Sequence, residues 1–184
     1  MNDPDKGLIS YRYNALGELT QQTDAKGQVQ SLYYDALGRV YRKEQTRQAA
    51  ANDPAIDFEF DTAPLGSTGR LALGQLATSS LANGNYVKNI DYDELGRTVQ
   101  LRTQMDGQTF YQRVIFDIYG RITQSIDASS NPLSPYGTQT DYSLEGYPIQ
   151  TREISSGQIY QTVLETNARG QVTVERLHDS RNLT

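Results

Sequence analysis

Apolar and aromatic residues alternate with polar residues along most of the chain, in short runs that end at turn-forming residues. Leu32 and Tyr34 are two positions apart before one turn, and Val172 and Val174 are two positions apart after another. Residues at this spacing point to the same face of a β-strand. The pattern therefore predicts repeated units of strand, turn and strand, and an all-β chain.

One short phrase marks each of these turns: an aromatic residue, Asp or Asn, two variable residues, Gly and Arg, as in Tyr92-Asp93-Glu94-Leu95-Gly96-Arg97. Glycine closes a tight turn with a positive φ, and an Asp or Asn side chain accepts hydrogen bonds from amides within the turn. Seven copies of the phrase occur, one expanded and one faded. The residues that we predict to build these structural turns are Asn14, Gly17, Asp35, Gly38, Arg39, Asp61, Gly69, Arg70, Asp93, Gly96, Arg97, Asp117, Gly120, Arg121, Gly146, Asn167 and Gly170.

A second set of turns lies about midway between most of these glycines, at Asp24-Ala25-Lys26-Gly27, Asn83-Gly84, Asp106-Gly107 and Ser156-Gly157. Asn-Gly and Asp-Gly between alternating runs are strong hairpin signals. Two reversals in each repeat give two strands, so the sequence predicts antiparallel β-hairpins laid side by side in a continuous sheet.

The repeat pattern divides the chain into a polar lead at 1–7, a repeat sheet at 8–177 and a polar tail at 178–184. Two segments break the alternation and are expected to be insertions. The first, 45–57, could hold a helical turn ended by Pro54; the second, 128–137, contains two of the six prolines and is expected to be a surface loop. Because the repeats begin without a distinct capping segment, we expect the chain to be part of a longer protein.

Charge and composition exclude several function classes. The chain carries 17 basic and 22 acidic residues, a net charge of −5, with no Lys/Arg cluster, so nucleic-acid binding is not expected. The absence of cysteine excludes disulfides, thiol catalysis and thiolate metal sites. No apolar run approaches the roughly 20 residues of a membrane span, and the N-terminus lacks the apolar core of a signal peptide.

Two roles, ligand binding or turn structure, are open for the aspartates and for the arginines of the phrase. The aspartates could form a carboxylate ladder for Ca²⁺, but turn capping explains them without a metal and tolerates Asn and Ser. The arginines could bind anions, but stacking on a neighbouring Tyr or pairing with a turn Asp suits a planar guanidinium better. His178, the only histidine, has no partner set for catalysis or metal binding in the sequence. We therefore predict no catalytic, cofactor or metal residues and no enzymatic activity.

These phrases resemble the rearrangement-hotspot (Rhs) or YD-repeat family over about residues 8–177. Tyr34-Asp35-Ala36-Leu37-Gly38-Arg39-Val40 is similar to the repeat signature of the family. Phe60-Asp61-Thr62-Ala63-Pro64 with Gly69-Arg70-Leu71 resembles the lengthened variant of bacterial toxin-complex members. The resemblance implies a curved sheet that is a segment of a β-spiral shell, and a secreted or cell-surface bacterial protein in which the shell encloses a C-terminal toxic polypeptide.

The chain also departs from the family pattern. Glu18, Tyr147 and Gln171 occupy the Arg position, so three copies are degenerate, and the Asp-Pro-x-Gly type self-cleavage segment is absent. We therefore expect a structural shell segment without autoproteolysis. Its expected partners are neighbouring repeats of a longer chain or its own strand edges, and an enclosed toxin. The alternative is a surface module whose outer tyrosines and arginines bind glycans or a receptor.

Overall fold

The chain folds entirely into strands and turns in the residues that the structure describes. The structure is a computed structural model, and it describes residues 2–3, 7–47, 51–62, 72–129 and 136–178. None of these residues is helical. The prediction of an all-β chain of antiparallel hairpins is confirmed.

The strands in the described ranges are β1 (Asn2–Asp3), β2 (Gly7–Leu8), β3 (Ser10–Tyr13), β4 (Leu19–Thr23), β5 (Val29–Tyr34), β6 (Val40–Thr46), β7 (Asp53–Phe60), β8 (Leu76–Leu81), β9 (Tyr86–Tyr92), β10 (Thr98–Met105), β11 (Gln108–Phe116), β12 (Ile122–Ser129), β13 (Gly137–Tyr142), β14 (Pro148–Glu153), β15 (Ile159–Thr166) and β16 (Val172–Leu177).

The strands belong to two compact units. The first contains residues 1–97 with 103–107, and the second contains residues 98–102 with 108–184, so β10 contributes to both. In the first unit β3 to β9 lie side by side in chain order, each antiparallel to the strand before it. In the second unit β11 to β16 do the same. The short strands β1 and β2 form a separate ladder.

Few side chains are deeply buried. The buried apolar residues of the described ranges are Ala55, Ala72, Ala77 and Tyr92, and most strand residues are half-buried. A sheet with so little enclosed apolar volume depends on its backbone ladder and on cross-strand side-chain pairs more than on a deep core. Contacts between neighbouring strands and repeats therefore stabilise this chain more than a hydrophobic core does.

The two expected insertions are narrower than their sequence bounds. Strand β6 runs to Thr46 and β7 begins at Asp53, so both ends of segment 45–57 are hydrogen-bonded in the sheet. Across this connection Arg47 pairs with Asp53 at 2.6 Å. Likewise β12 includes residues 128 and 129 and β13 begins at residue 137. Residues 48–50 and 130–135 lie outside the described residues.

The expected lead and tail also contain ordered contacts. Residues 2–3 and 7 of the lead belong to β1 and β2. His178, the first residue of the expected tail, donates its backbone N–H to the carbonyl of Tyr160 at 2.8 Å. The rest of the tail, residues 179–184, is outside the described residues, as are Gly69 and Arg70 of the expanded phrase.

Candidate functional site

The phrase copies lie at one class of turn, which we name the reversal turns. They connect each odd-numbered strand from β3 to β15 to the strand after it, and the first residue of each turn is its cap. The caps are Asn14, Asp35, Asp61, Asp93, Asp117, Ser143 and Asn167. The mid-repeat turns connect even-numbered strands to the strand after them. Since successive strands are antiparallel, the two classes lie at opposite ends of the strands within each unit.

Asp35 shows how a reversal turn is closed. Its Oδ1 accepts the backbone N–H of Leu37 at 2.8 Å and of Arg39 at 3.0 Å. Its carbonyl accepts the N–H of Gly38 at 3.1 Å, and its own N–H donates to the carbonyl of Arg39 at 2.9 Å. One side chain therefore satisfies the amides that the turn leaves without a strand partner.

The arginine after the glycine completes the turn by a charged pair. Arg39 Nε donates to Asp35 Oδ2 at 2.8 Å, and Arg97 and Arg121 donate in the same way to Asp93 and Asp117 at 2.7 Å. The Arg39 N–H and side chain hold the pKa of Asp35 below its usual range. Burial alone would raise the pKa of Asp93 and Asp117. Hydrogen bonds from the arginines outweigh burial, so the pKa of each carboxyl lies below its usual range.

In two of the degenerate copies both members of the Asp–Arg pair are replaced together. Asn14 replaces the aspartate and Glu18 replaces the arginine, and Asn14 Nδ2 donates to Glu18 Oε2 at 2.6 Å. Asn167 Nδ2 donates to Gln171 Oε1 at 2.8 Å. An amide cap supplies the donor that the arginine supplies elsewhere, so its partner becomes an acceptor. The turn geometry is kept: Oδ1 of each Asn accepts the two amides that Asp35 Oδ1 accepts in its turn.

The Ser143 turn is the weakest of the set. Its hydroxyl accepts one amide, that of Tyr147, at 3.3 Å. The backbone bond from the Gly146 N–H to the Ser143 carbonyl, 3.0 Å, remains. A hydroxyl caps more weakly than a carboxylate, as the sequence predicts.

The expanded copy closes at residues that the sequence did not indicate. Asp61 has a φ of 67°, and its Oδ1 accepts the N–H of Gly74 at 2.6 Å. The Asp61 N–H donates to the carbonyl of Gln75 at 3.2 Å. Gly74 and Gln75 therefore contribute to the closure of this turn, while Gly69 and Arg70 lie outside the described residues. Gly74 and Gln75 lie more than ten residues after Asp61, so the spacing of the phrase did not indicate them.

Arginines and tyrosines connect several reversal turns to the next one in the chain. The guanidinium of Arg39 lies 4.4 Å from the ring centre of Phe60 in the next copy and binds both Asp61 oxygens, at 3.0 and 2.7 Å. Arg121 lies 4.4 Å from the ring centre of Tyr142 in the next copy. Both geometries suit a planar, forked cation.

Tyrosine hydroxyls supply a second connection in the opposite direction. In three cases the hydroxyl of the tyrosine just before a cap donates to a carbonyl of the previous copy. The acceptor residue lies two positions after the reversal glycine of that copy. The three bonds are Tyr34 to Leu19 at 2.8 Å, Tyr92 to Leu76 at 2.8 Å and Tyr142 to Ile122 at 2.7 Å.

Four reversal glycines provide a third connection, because the side chain after the previous reversal glycine lies over each of them, whereas a Cβ on Gly74 would meet nothing within 4 Å. A Cβ built on Gly38 would be 3.0 Å from Glu18 Oε1, one on Gly146 would be 3.2 Å from Arg121, and one on Gly96 would be 3.4 Å from Gln75. At Gly170 the Cβ would overlap the ring of Tyr147. These glycines adopt a positive φ, and their lack of a side chain leaves room for the side chain of the neighbouring repeat.

Each reversal hairpin whose register the structure gives also contains an irregularity that the sequence does not reveal. The residue three positions after the glycine is skipped in the strand pairing, for example Tyr41 and Thr123. Thr20 and Thr123, at this position, donate their hydroxyls to strand carbonyls at 3.2 and 3.1 Å. Bulges of this kind increase the local right-handed twist of a hairpin.

The acidic caps of the described reversal turns already have hydrogen-bond or ionic partners. The Asp side chains already accept amides and guanidinium groups, and no three His, Cys, Asp or Glu side chains of the described chain converge as a metal site. His178 Nε2 lies 3.2 Å from the hydroxyl of Thr162. No helix in the described residues could cross a membrane. Arg39 and Arg121 of the described reversal turns contact both their own turn and the next repeat.

Comparison with known proteins agrees with this geometry. Residues 7–52 match the family model described as RHS Repeat. No curated protein matches the sequence significantly.

Solved structures of toxin-complex proteins share the fold. The crystal structure of TcdB2-TccC3-Cdc42 matches with a TM-score of 0.59 and 21% identity, over 78% of this chain and 7% of the other. The Photorhabdus luminescens Tc holotoxin pore with a mutated TccC3 matches with a TM-score of 0.52 and 16% identity, over 84% and 9%. This chain thus spans a tenth or less of the length of those chains. The resemblance seen in the sequence is confirmed over residues 7–52, which match the RHS Repeat model, and most of the chain shares the fold of these solved structures.

Proposed function

We propose that this chain is a segment of the wall of an Rhs/YD-repeat shell, that the shell encloses or presents a toxin or effector polypeptide, and that the segment has no chemistry of its own. The observation that carries the proposal is the set of connections between reversal turns. Arg39 joins Asp35 to Asp61 across two copies of the phrase, and Tyr34, Tyr92 and Tyr142 each bind the backbone of the previous copy.

These connections suit a barrier. Within each unit, neighbouring repeats are bonded through strand ladders and through contacts between reversal turns, so opening a gap there requires breaking both. Half-buried residues on most strands are consistent with a single sheet layer that has accessible faces. A layer of this kind separates two spaces by steric exclusion and needs no reactive group.

The role of the predicted turn residues follows from the same proposal. Asp35, Asp93 and Asp117, with the asparagine caps, hold the reversals closed, while the arginines and glycines keep neighbouring reversals in register. The partners are then the neighbouring repeats of a longer chain and the enclosed polypeptide. As part of a toxin shell, the protein would act outside the bacterial cytoplasm, secreted or at the cell surface.

Protease protection in the full-length protein that contains this chain tests the proposal. We expect a polypeptide carried in the same protein to survive protease while the wall is intact. It should be digested faster in Gly170→Ala, which forces a Cβ against Tyr147, than in Gly157→Ala, whose Cβ would contact nothing within 4 Å. Equal digestion in the unmodified protein and both variants would contradict a barrier.

One observation favours the second candidate, a glycan-binding surface. Tyr33 and Tyr41 are 39% and 43% exposed, and their ring centres are 6.3 Å apart at an angle of 50°. The Tyr33 hydroxyl donates to Glu44 at 2.9 Å, which raises the pKa of Tyr33. Adjacent exposed rings with a polar edge suit contact with a sugar face.

A glycan array separates the two candidates. If the surface binds sugars, Tyr41→Ala should abolish binding, while Tyr119→Ala should not, although Tyr119 is also exposed. A silent array together with protease protection supports the wall alone.

A further inference from the structure

Four leucines occupy one position in the first four reversal turns, directly before the reversal glycine, where Gly74 is the glycine of the expanded copy. Their exposed fractions are 84% for Leu16, 74% for Leu37, 73% for Leu73 and 76% for Leu95. We name this set the leucine row. Single exposed apolar residues are ordinary on a protein surface, but four at one repeated position form an apolar surface that this chain does not cover.

Turn closure does not require these leucines. The residues before the mid-repeat glycines of the same unit are Lys26, Asn83 and Asp106. Those glycines adopt a positive φ of 73°, 77° and 74°, as the reversal glycines do, so the same local geometry forms with a polar residue in this place. Leucine is also not among the residue types that favour turns.

The leucine row belongs to the first unit. In the second unit the residues before the reversal glycines are Tyr119, Glu145 and Arg169, and none of them is aliphatic. Leu144 is fully exposed there, but it directly follows the cap and does not precede the glycine. The row is therefore a property of residues 16–95 and not of every reversal turn.

The leucine row has a regular spacing. Its turns are two strands apart in the ladder from β3 to β9. Neighbouring strands lie about 4.8 Å apart, so the leucines recur about every 9.6 Å and the row is about 29 Å long. An α-helix advances about 10.5 Å in seven residues. A helix with an apolar residue at every seventh position therefore presents side chains at nearly the same spacing.

Acidic groups surround the leucine row. The described residues of its four turns carry five acidic and two basic side chains, a net charge of −3: Glu18, Asp35, Asp61, Asp93, Glu94, Arg39 and Arg97. Both arginines already bind a turn aspartate. Glu94 is exposed directly beside Leu95, and Glu18 lies two residues after Leu16. A partner that complements the row must therefore carry basic groups beside its apolar groups.

Two other occupants fit this charge less well. A second copy of the chain, with its net charge of −5, and an anionic membrane would both bring negative charge to the row. A helix with lysine or arginine on either side of an apolar stripe complements the apolar and the acidic groups together.

We propose that the leucine row is a docking surface for a basic amphipathic helix of about three heptads, which lies along the reversal turns of the first unit. The apolar stripe of the helix packs on the four leucines, and its basic side chains pair with Glu18 and Glu94. The contact is made at the tips of turns and not through the strand ladders, so it does not depend on the wall function proposed above.

Two synthetic peptides test the proposal. Each has three heptads with leucine at positions a and d; one carries lysine and the other glutamate at positions e and g, and the like charges disfavour pairing of either peptide with itself. Fluorescence anisotropy measures their binding to the full-length protein that contains this chain. We expect the lysine peptide to bind at least about tenfold more tightly, with a difference that shrinks as salt is added. Equal binding of the two peptides, or no binding, would overturn the proposal.

A substitution in the leucine row assigns the contact. Leu37→Ser should weaken binding of the lysine peptide about tenfold, the effect of one leucine that is buried on docking. Leu144→Ser, at an exposed leucine outside the row, should leave it unchanged. Thermal unfolding checks that both variants fold as the unmodified protein does. Equal weakening by the two substitutions would contradict docking on the row.

Reversing one charge tests the acidic groups separately. Glu94→Lys should weaken binding of the lysine peptide and strengthen binding of the glutamate peptide, because the exposed side chain then has the opposite sign. The same change in affinity for both peptides would contradict the assigned ion pair.

The other occupants give different results. Binding to phosphatidylcholine vesicles that is lost in Leu37→Ser would assign the row to a lipid surface, and self-association lost in that variant would assign it to a second copy; either result would overturn the helix. Protease protection of a carried polypeptide should be the same with and without Leu37→Ser. Failure of helix docking and failure of the wall are therefore separate results.

Discussion

Reversal turns and mid-repeat turns use the same local chemistry but differ in what they contact. In the mid-repeat turn at Asp24, Oδ1 accepts the amides of Lys26 and Gln28, each at 2.9 Å, as Asp35 Oδ1 does in its reversal. The glycines differ. Four reversal glycines, at positions 38, 96, 146 and 170, have a side chain of the previous repeat over them, while reversal glycines 17 and 74 and mid-repeat glycines 84, 107 and 157 have nothing within 4 Å of an added Cβ.

The comparison shows that turn closure and repeat coupling are separate properties. A capped turn needs only its own residues, so it can be placed at either end of a strand. Coupling needs a neighbour at the correct spacing, and in this chain Arg39, Arg121 and Tyr147 supply it at reversal turns. The two classes of turn should therefore respond differently to matched substitutions.

The largest difference is expected between Gly170→Ala and Gly157→Ala. Both glycines have a φ near 75°, so alanine costs about 1–2 kcal/mol at either position. At Gly170 the new Cβ also overlaps the Tyr147 ring, which adds about 1–3 kcal/mol. Urea unfolding of both variants measures the difference.

Removal of the ring provides the control for this prediction. In a Tyr147→Ala background the extra cost of Gly170→Ala should disappear, leaving the cost seen at Gly157. Gly17→Ala, a reversal glycine without a described neighbour, should also resemble Gly157→Ala. An equal cost at all three glycines would show that covering side chains do not constrain the reversals.

A smaller loss of stability is expected from Arg39→Lys. Lysine keeps the charge but cannot bind Asp35 and Asp61 with a planar fork or stack on Phe60. We expect a lower thermal midpoint and faster hydrogen exchange at the Gly74 amide, which donates to Asp61. Lys26→Ala, in a mid-repeat turn, should change neither. Unchanged exchange at Gly74 in Arg39→Lys would contradict coupling through Asp61.

Glu153 allows a mid-repeat turn to be tested by pH. It is buried and accepts hydrogen bonds from Ser155 and Ser156, which lower its pKa to about 2 from 4.5. A folded-state pKa below the unfolded value stabilises the protein above about pH 4.5, and this is lost as pH falls through about 2. The stability advantage over Glu153→Gln should shrink across that window. An advantage independent of pH would show that the charged form is not preferred.

The smallest expected effect is at the exchanged cap, Asn14→Asp. A carboxylate there would face Glu18, whose Oε2 now accepts the Asn14 amide, and would destabilise the turn by about 0.5–1 kcal/mol at pH 7. Adding Glu18→Arg should restore stability by recreating the pair seen at Asp35 and Arg39. Failure of this rescue in thermal unfolding would show that cap and partner are independent.

The sequence determined the fold class and the positions of most turns, because both depend on neighbouring residues. Alternation at spacing two and the Asp-to-Gly phrase predict strands and reversals through local geometry alone, and Asp35 to Arg39 closes as that phrase requires. The expanded copy shows where local counting fails: the closing residue is Gly74, which only the path of the chain could decide.

The tertiary structure alone decided which repeats touch and through which atoms. The bond from Arg39 to Asp61 and the cover of Tyr147 over Gly170 depend on strand register and bulge position. A single sequence records the residue types at these positions but not the distance between them, which is fixed only when successive hairpins pair.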